Sequence, residues 1–220
     1  MNWMKLLSVN VARPAAVSTN GQRVETSIFK KPVAGPVVVR ALNLDGDEQS
    51  DLRVHGGAYK AVYAYSAENI EHWKRYLKRD DLGLGSFGEN LTVEGFTDSE
   101  IAVGDELEIG TARFVVTQPR IPCFKLGIAL GMPEFVKVFH WAGRNGFYLR
   151  VLREGRIEAG DEIHITAARE PRMTIAKLVQ LSNSKELTPQ QLERILALDA
   201  LTPSWKEDFL ERAARRGHSL

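Results

Sequence analysis

Two stretches of this chain are near copies of one another. Val103-Gly104-Asp105-Glu106-Leu107-Glu108-Ile109 is matched by Ala159-Gly160-Asp161-Glu162-Ile163-His164-Ile165. In each, a Gly-Asp turn delivers the backbone into a segment whose aliphatic residues alternate with polar ones. That is the period of a strand with one buried face. After the first copy, Gly110 opens a turn into Ala112, Phe114 and Val116, which predicts a hairpin. Leu7, Val9 and Val11 alternate in the same way, residues 37–42 form a β-branched run after Gly35-Pro36, and residues 61–65 form another short apolar run. Short strands with regular turn punctuation predict a mainly β fold with helices, closed or nearly closed into a β-barrel, and not a βαβ sheet.

Helices interrupt and then replace this pattern. Ser66 is placed as an N-cap before the stripe Ile70, Trp73 and Leu77, and a short helix is expected over residues 133–139. The chain changes character after Glu170-Pro171. Ile175, Leu178 and Val179 make a helical stripe, and Thr188-Pro189-Gln190-Gln191 carries a capping box with proline at the first helical position. Thr202-Pro203 repeats the start before Trp205, Phe209 and Ala213, with Gly217 as the C-terminal cap. The expected organisation is a β-barrel domain over residues 1–168 and a three-helix module over residues 172–217. The module's helices are too short to stand alone, so their apolar faces should pack on one another.

Bulk properties narrow the function. With 220 residues, 26% of them charged and a formal net charge of +1, the chain is an ordinary globular protein with no electrostatic reason to bind nucleic acid or a membrane. The basic end of the last helix, Arg212-Ala213-Ala214-Arg215-Arg216, is offset by Glu186, Glu193, Asp199, Glu207, Asp208 and Glu211 and reads as a solvated helix end, not a DNA-binding surface. The first residues carry no signal-like or membrane-length apolar run, and the single cysteine excludes an intramolecular disulfide. The expectation is a cytoplasmic protein.

That cysteine sits in the most informative stretch, Gln118-Pro119-Arg120-Ile121-Pro122-Cys123-Phe124-Lys125-Leu126. Two prolines stiffen the turn, and Arg120 and Lys125 favour thiolate over thiol at Cys123. A thiolate is a soft ligand suited to metals with sulfur-rich coordination. A lone cysteine is also commonly an inert buried residue, and residue type alone leaves both readings open. His55-Gly56-Gly57 offers two residues free to take positive φ, so that backbone amides can approach a ligand, or simply a tight turn. Phe87-Gly88-Glu89-Asn90 either directs a carboxylate and an amide into a pocket or forms a β-turn, and Arg144-Asn145-Gly146 likewise has a plain turn reading. Gly83-Leu84-Gly85-Ser86-Phe87-Gly88 fits G-x-G-x-x-G but follows a helix and precedes a strand, the reverse of a dinucleotide fingerprint. His72, His140, His164 and His218 show no metal-ligand spacing among themselves, and no G-x-S-x-G hydrolase elbow occurs.

Pro119-Arg120-x-Pro122-Cys123 resembles the cysteine motif of MOSC domains, named for the C-terminal part of molybdenum cofactor sulfurases. Other landmarks of that family follow in order. They are Ile28-Phe29-Lys30-x-Pro32-Val33, Gly46-Asp47-x-Gln49-x-Asp51, His55-Gly56-Gly57-x-x-Lys60-Ala61-Val62, Phe87-Gly88-Glu89-Asn90-Leu91, Val103-Gly104-Asp105 and Arg144-Asn145-Gly146-Phe147-Tyr148. The resemblance spans roughly residues 1–168, and the helical tail looks like the YiiM-like branch.

The resemblance implies a MOSC β-barrel of the pyruvate-kinase-barrel type that holds the molybdenum cofactor, molybdopterin with molybdenum, through Cys123 as metal ligand and catalytic residue. Lys30, His55, Gly56, Gly57, Lys60, Asn90, Arg120, Arg144 and Asn145 are implied as cofactor-binding, with Asn90 at a pterin edge and Arg144 on the phosphate. The implied activity is reduction of N-hydroxylated compounds such as 6-N-hydroxylaminopurine, a detoxification. Electrons would come from a separate protein, since one cysteine cannot hold an iron–sulfur cluster. The alternative is a carrier of the cofactor or of sulfur without turnover. Nothing in the sequence sets the oligomeric state.

Overall fold

The computed structural model describes residues 4–19, 21–50, 56–168 and 172–215. His55, Asp51, Gly217, His218 and the Glu170-Pro171 junction lie outside the described residues.

Among the described residues, twelve strands and six α-helices alternate irregularly. They are β1 (Lys5–Val11), β2 (Ala15–Thr19), β3 (Gln22–Thr26), β4 (Lys31–Pro32), β5 (Val37–Val39), β6 (Val62–Ser66), α1 (Ala67–Leu77), β7 (Leu91–Glu94), β8 (Glu106–Ile109), β9 (Ala112–Pro119), α2 (Phe124–Leu130), α3 (Phe135–Trp141), β10 (Phe147–Arg153), β11 (Gly155–Ile157), β12 (Ile163–Thr166), α4 (Ile175–Asn183), α5 (Pro189–Leu196) and α6 (Pro203–Ala214). Eight strands form one sheet in the order β12-β8-β9-β10-β6-β7-β1-β4. Its pairings are antiparallel except β6 with β7, which are parallel because α1 and residues 78–90 make the crossover between them.

The two near-copied segments are neighbours. β12 pairs antiparallel with β8, Ile163 opposite Ile109 and Ile165 opposite Leu107, so their aliphatic faces coincide. In the β8–β9 hairpin Ile109 faces Ala112, as the sequence predicts. Each Gly-Asp turn is fastened by its aspartate: Asp105 accepts the Ala102 and Ala168 amides at 2.8 and 2.7 Å, and Asp161 accepts the Glu158 amide at 2.8 Å. The sheet curls toward closure, since Lys5 bridges Glu162 and the Leu6 N–H donates to the Asp161 carbonyl at 2.9 Å. No continuous ladder closes it among the described residues, so the fold is a sheet-dominated one with helices.

β1 departs from the sequence expectation. Leu6 and Val9 are fully buried while Leu7 and Val11 are only partly so, because a bulge between Leu6 and Ser8 shifts the register against β7. β5 stops at Val39, short of the expected 42. The helix expected over 133–139 lies at Phe135–Trp141, and α2, unforeseen, begins right after Cys123. α1 is capped as expected, its Ser66 hydroxyl accepting the Asn69 amide.

Two apolar clusters fill the interior. The larger joins Leu107, Phe114 and Leu149 of the sheet to Leu178, Ile195 and Phe209 of α4, α5 and α6, so the tail helices share the sheet's core as well as touching one another. The capping box of Thr188 and Gln191 is formed. Thr202 does not cap α6; its hydroxyl instead donates to the Gln118 side-chain oxygen, tying the tail to the strand that leads to Cys123. The smaller cluster is aromatic: Tyr63, Tyr65, Trp73, Phe87 and Phe139 pack between the sheet and α1 to α3. It forms the floor beneath the candidate site.

Candidate functional site

A cleft opens over the aromatic cluster. Its walls come from Thr26, Ser27, Ile28 and Lys30, from residues 47–50, from Lys60, Tyr63, Gly88 and Asn90, and from Arg120, Cys123, Lys125 and Tyr148. Strands β6, β9 and β10 deliver the central groups. β9 ends at Pro119, the Arg120 N–H donates to the Gly146 carbonyl at 3.1 Å, and the chain then turns through Pro122 to place the half-buried Cys123 at the N-cap of α2.

Arg120 is the unusual group. It is 6% exposed, its guanidinium lies 4.9 Å from the Tyr63 ring centroid and 5.6 Å from that of Phe139, and its Nη1 has no hydrogen-bond partner among the described residues. Burial disfavours its charge, but Tyr63, Tyr148 and Cys123 more than offset that, and its pKa lies above the ordinary value. A charged donor buried without an acceptor costs free energy unless something fills it. Ser27 Oγ, on the same cleft, is likewise buried and unpartnered.

Lys30 is buried and pairs with Asp47, which the sequence motif contained but to which no role was given. Burial lowers the Lys30 pKa, opposed by Asp47. Asp47 also accepts the Ala12 amide and the Asn90 side-chain amide, both at 2.9 Å. Asn90 spends its second donor on the Asn10 carbonyl at 3.3 Å and accepts the Tyr63 N–H at 3.1 Å. Both of its donors are therefore committed to the framework, and it braces the cleft wall. Burial lowers the Lys60 pKa, and Lys125 Nζ donates to Ser50 at 3.0 Å. Tyr63 and Tyr148, which sequence reasoning missed, pack with centroids 5.5 Å apart; burial raises the Tyr148 pKa against the pull of Arg120.

Other sequence candidates lie off the cleft walls. Glu89, expected to share the pocket with Asn90, turns inward and accepts the Gly85 and Phe87 amides at 2.6 and 3.0 Å and the Thr92 hydroxyl at 2.9 Å. Arg144 reaches away to Asn69 on α1 at 2.9 Å, and its carbonyl accepts the Tyr65 hydroxyl. Asn145 is fully buried, with both side-chain polar atoms unpartnered. Gly146 takes φ 67° because a Cβ there would sit 2.5 Å from the Ala64 carbonyl oxygen, which explains the Asn-Gly pair by backbone crowding. Gly57, beside Gly56, has the expected positive φ, 84°. Neither lines the cleft.

The donor set fits an anionic, sulfur-ligated group: a thiol, a buried guanidinium with no carboxylate partner among the described residues, and Lys30, Lys60 and Lys125 on the same walls. Among the described residues no three His, Cys, Asp or Glu side chains converge into a metal cage, and no helix is long and apolar enough to cross a membrane.

Known proteins place this architecture. YflK of Bacillus subtilis, an uncharacterised protein, is 37% identical over 96% of this chain and 95% of its own length. The crystal structure of YiiM from Geobacillus stearothermophilus superposes with a TM-score of 0.79 at 32% identity, covering 95% of this chain and 98% of that one. A protein of Gibberella moniliformis named as a reductase is 28% identical over 83% of this chain, which spans only 33% of that longer protein. The family model for the MOSC domain matches residues 51–164. The chain belongs to the MOSC domain family, and YiiM proteins are its homologues.

Proposed function

We propose that this chain binds the molybdenum cofactor in the cleft through the Cys123 thiolate and reduces N-hydroxylated compounds, with electrons from a separate protein. The observation that carries the reading is the buried Arg120, with no carboxylate partner among the described residues, beside the chain's single cysteine. MOSC membership and the reductase name of one partial homologue support it.

In this reading Cys123 is the metal ligand, and Lys30, Lys60, Arg120 and Lys125 supply positive charge to an anionic cofactor. Asn90 and Asp47 hold Lys30 and the Tyr63 backbone in register. Arg144 and Asn145 belong to the framework behind the cleft, and His55, Gly56 and Gly57 are further candidate cofactor contacts from the sequence motif. Bound there, the cofactor supplies a two-electron redox centre. In the reaction the N–O bond breaks, the oxygen leaves as water, and two electrons and two protons are consumed. The chain's part is to orient the N-hydroxyl group, exclude bulk water over the aromatic floor, and fix the charge around the thiolate. The sheet-dominated region within residues 1–168 carries the cofactor cleft, and the helices that follow within residues 172–217 steady Gln118 through Thr202. The working compartment is the cytoplasm.

Anaerobically purified protein given a chemically reduced viologen and 6-N-hydroxylaminopurine should form adenine, and Cys123→Ala should abolish this. Cofactor binding without turnover would assign the chain to the carrier class instead.

A further inference from the structure

Ser27 belongs to no motif that the sequence singles out. It precedes the lysine segment, where Thr26 accepts the Ile28 amide through its own hydroxyl at 3.1 Å and so fixes the turn. The neighbouring Ser27 hydroxyl has no such duty. It is 9% exposed, lines the cleft, and has no partner among the described residues. Arg120 is also buried on the cleft, and its Nη1 has no partner among the described residues. Two buried polar atoms left unsatisfied on one cleft, Ser27 Oγ and Arg120 Nη1, are uncommon in a folded protein, where such groups find a protein, water or ligand partner. Their chemistry is complementary to a single kind of guest. A guanidinium donates in a fixed fork to oxyanions, and a hydroxyl can rotate to add one more donor. The buried acid nearest in the wall, Asp47, is saturated by Ala12, Lys30 and Asn90, while Glu48 is exposed at the rim.

We propose that Ser27 and Arg120 together form an oxyanion subsite of the cleft, taking the oxygens of a tetrahedral group of the phosphate or molybdate type. This rests on the cleft being the ligand site but not on the identity of the cofactor. It gives Ser27 a binding role and gives Arg120 the anion that Arg144, turned away to Asn69, does not face.

Calorimetric titration of the full chain, freed of bound ligand, with inorganic phosphate and separately with molybdate tests it. The wild type should bind both. Ser27→Ala should weaken binding about tenfold, Ser27→Thr should restore it, and Arg120→Lys should weaken it about tenfold or more because the fork is lost, all with thermal midpoints close to wild type. Absence of binding of either anion at millimolar concentration would show that ordered water alone fills these positions and would overturn the proposal. So would unchanged affinity in Ser27→Ala. If Ser27 and Arg120 govern anion affinity while Cys123→Ala leaves molybdenum content unaltered, the subsite stands and the molybdenum reading falls; the opposite pattern reverses the two.

Discussion

Gly146 joins two buried polar clusters that have been solved in opposite ways. Its N–H donates to Asp98 at 2.7 Å, and its carbonyl accepts from Arg120 at 3.1 Å. On the Asp98 side the groups match: Asp98 also accepts from Asn69, and Asn69 accepts from Arg144. On the Arg120 side they do not, and both Arg120 Nη1 and Ser27 Oγ lack partners among the described residues. A satisfied network specifies structure, whereas an unsatisfied charged one is tolerated where a ligand completes it. The contrast separates two arginines of similar promise in sequence. Arg144 serves the framework, and Arg120 faces the cleft.

The contrast breaks most visibly if Asp98 is removed. Asp98→Ala leaves the Gly146 N–H and the Asn69 amide without their acceptor and should cost about 3 kcal/mol, read as a drop in denaturation midpoint. Arg120→Met, on the other side, should change stability by only about 1 kcal/mol in either direction, because removing the cost of burying the charge offsets the lost ring and tyrosine contacts. A large loss there would mean that Arg120 is framework after all.

The smallest effect concerns pH. Burial raises the pKa values of both Glu89 and Asp98. The folded chain therefore keeps protons that the unfolded chain has released, so stability falls as pH rises from the ordinary values of 4.5 and 3.8 through the raised ones. Glu89→Gln should flatten this slope in denaturant midpoints measured across the mildly acidic range, and an unchanged slope would assign it to Asp98.

Local signals were the legible part of the fold. The Gly-Asp strands, the Ser66 cap and the Thr188 capping box each depend on a few neighbouring residues, and each formed. The bulge in β1 depends on its partner β7 and left no mark in the Leu7, Val9, Val11 alternation. α2 carried a readable signature, Leu126 and Leu130 spaced by one turn before Gly131 at φ 67°, but it was masked by the turn reading of the prolines. In the site, Cys123, Arg120, Lys30, Lys60 and Asn90 converge on one cleft. Tyr63 and Ser27 carried no signal because a buried tyrosine or serine looks in sequence like any core or turn residue, and Tyr148 stood within a motif without a role. Asp47 and Glu89 were in view within their motifs, but only packing shows one bracing Lys30 and the other turned to backbone amides.

Metal analysis by mass spectrometry is the most direct measurement, made on wild type and Cys123→Ser purified side by side without oxygen. The thiol-anchored reading predicts stoichiometric molybdenum in the wild type and only background in the variant, with the fold of both intact. Equal molybdenum in the two proteins would contradict it.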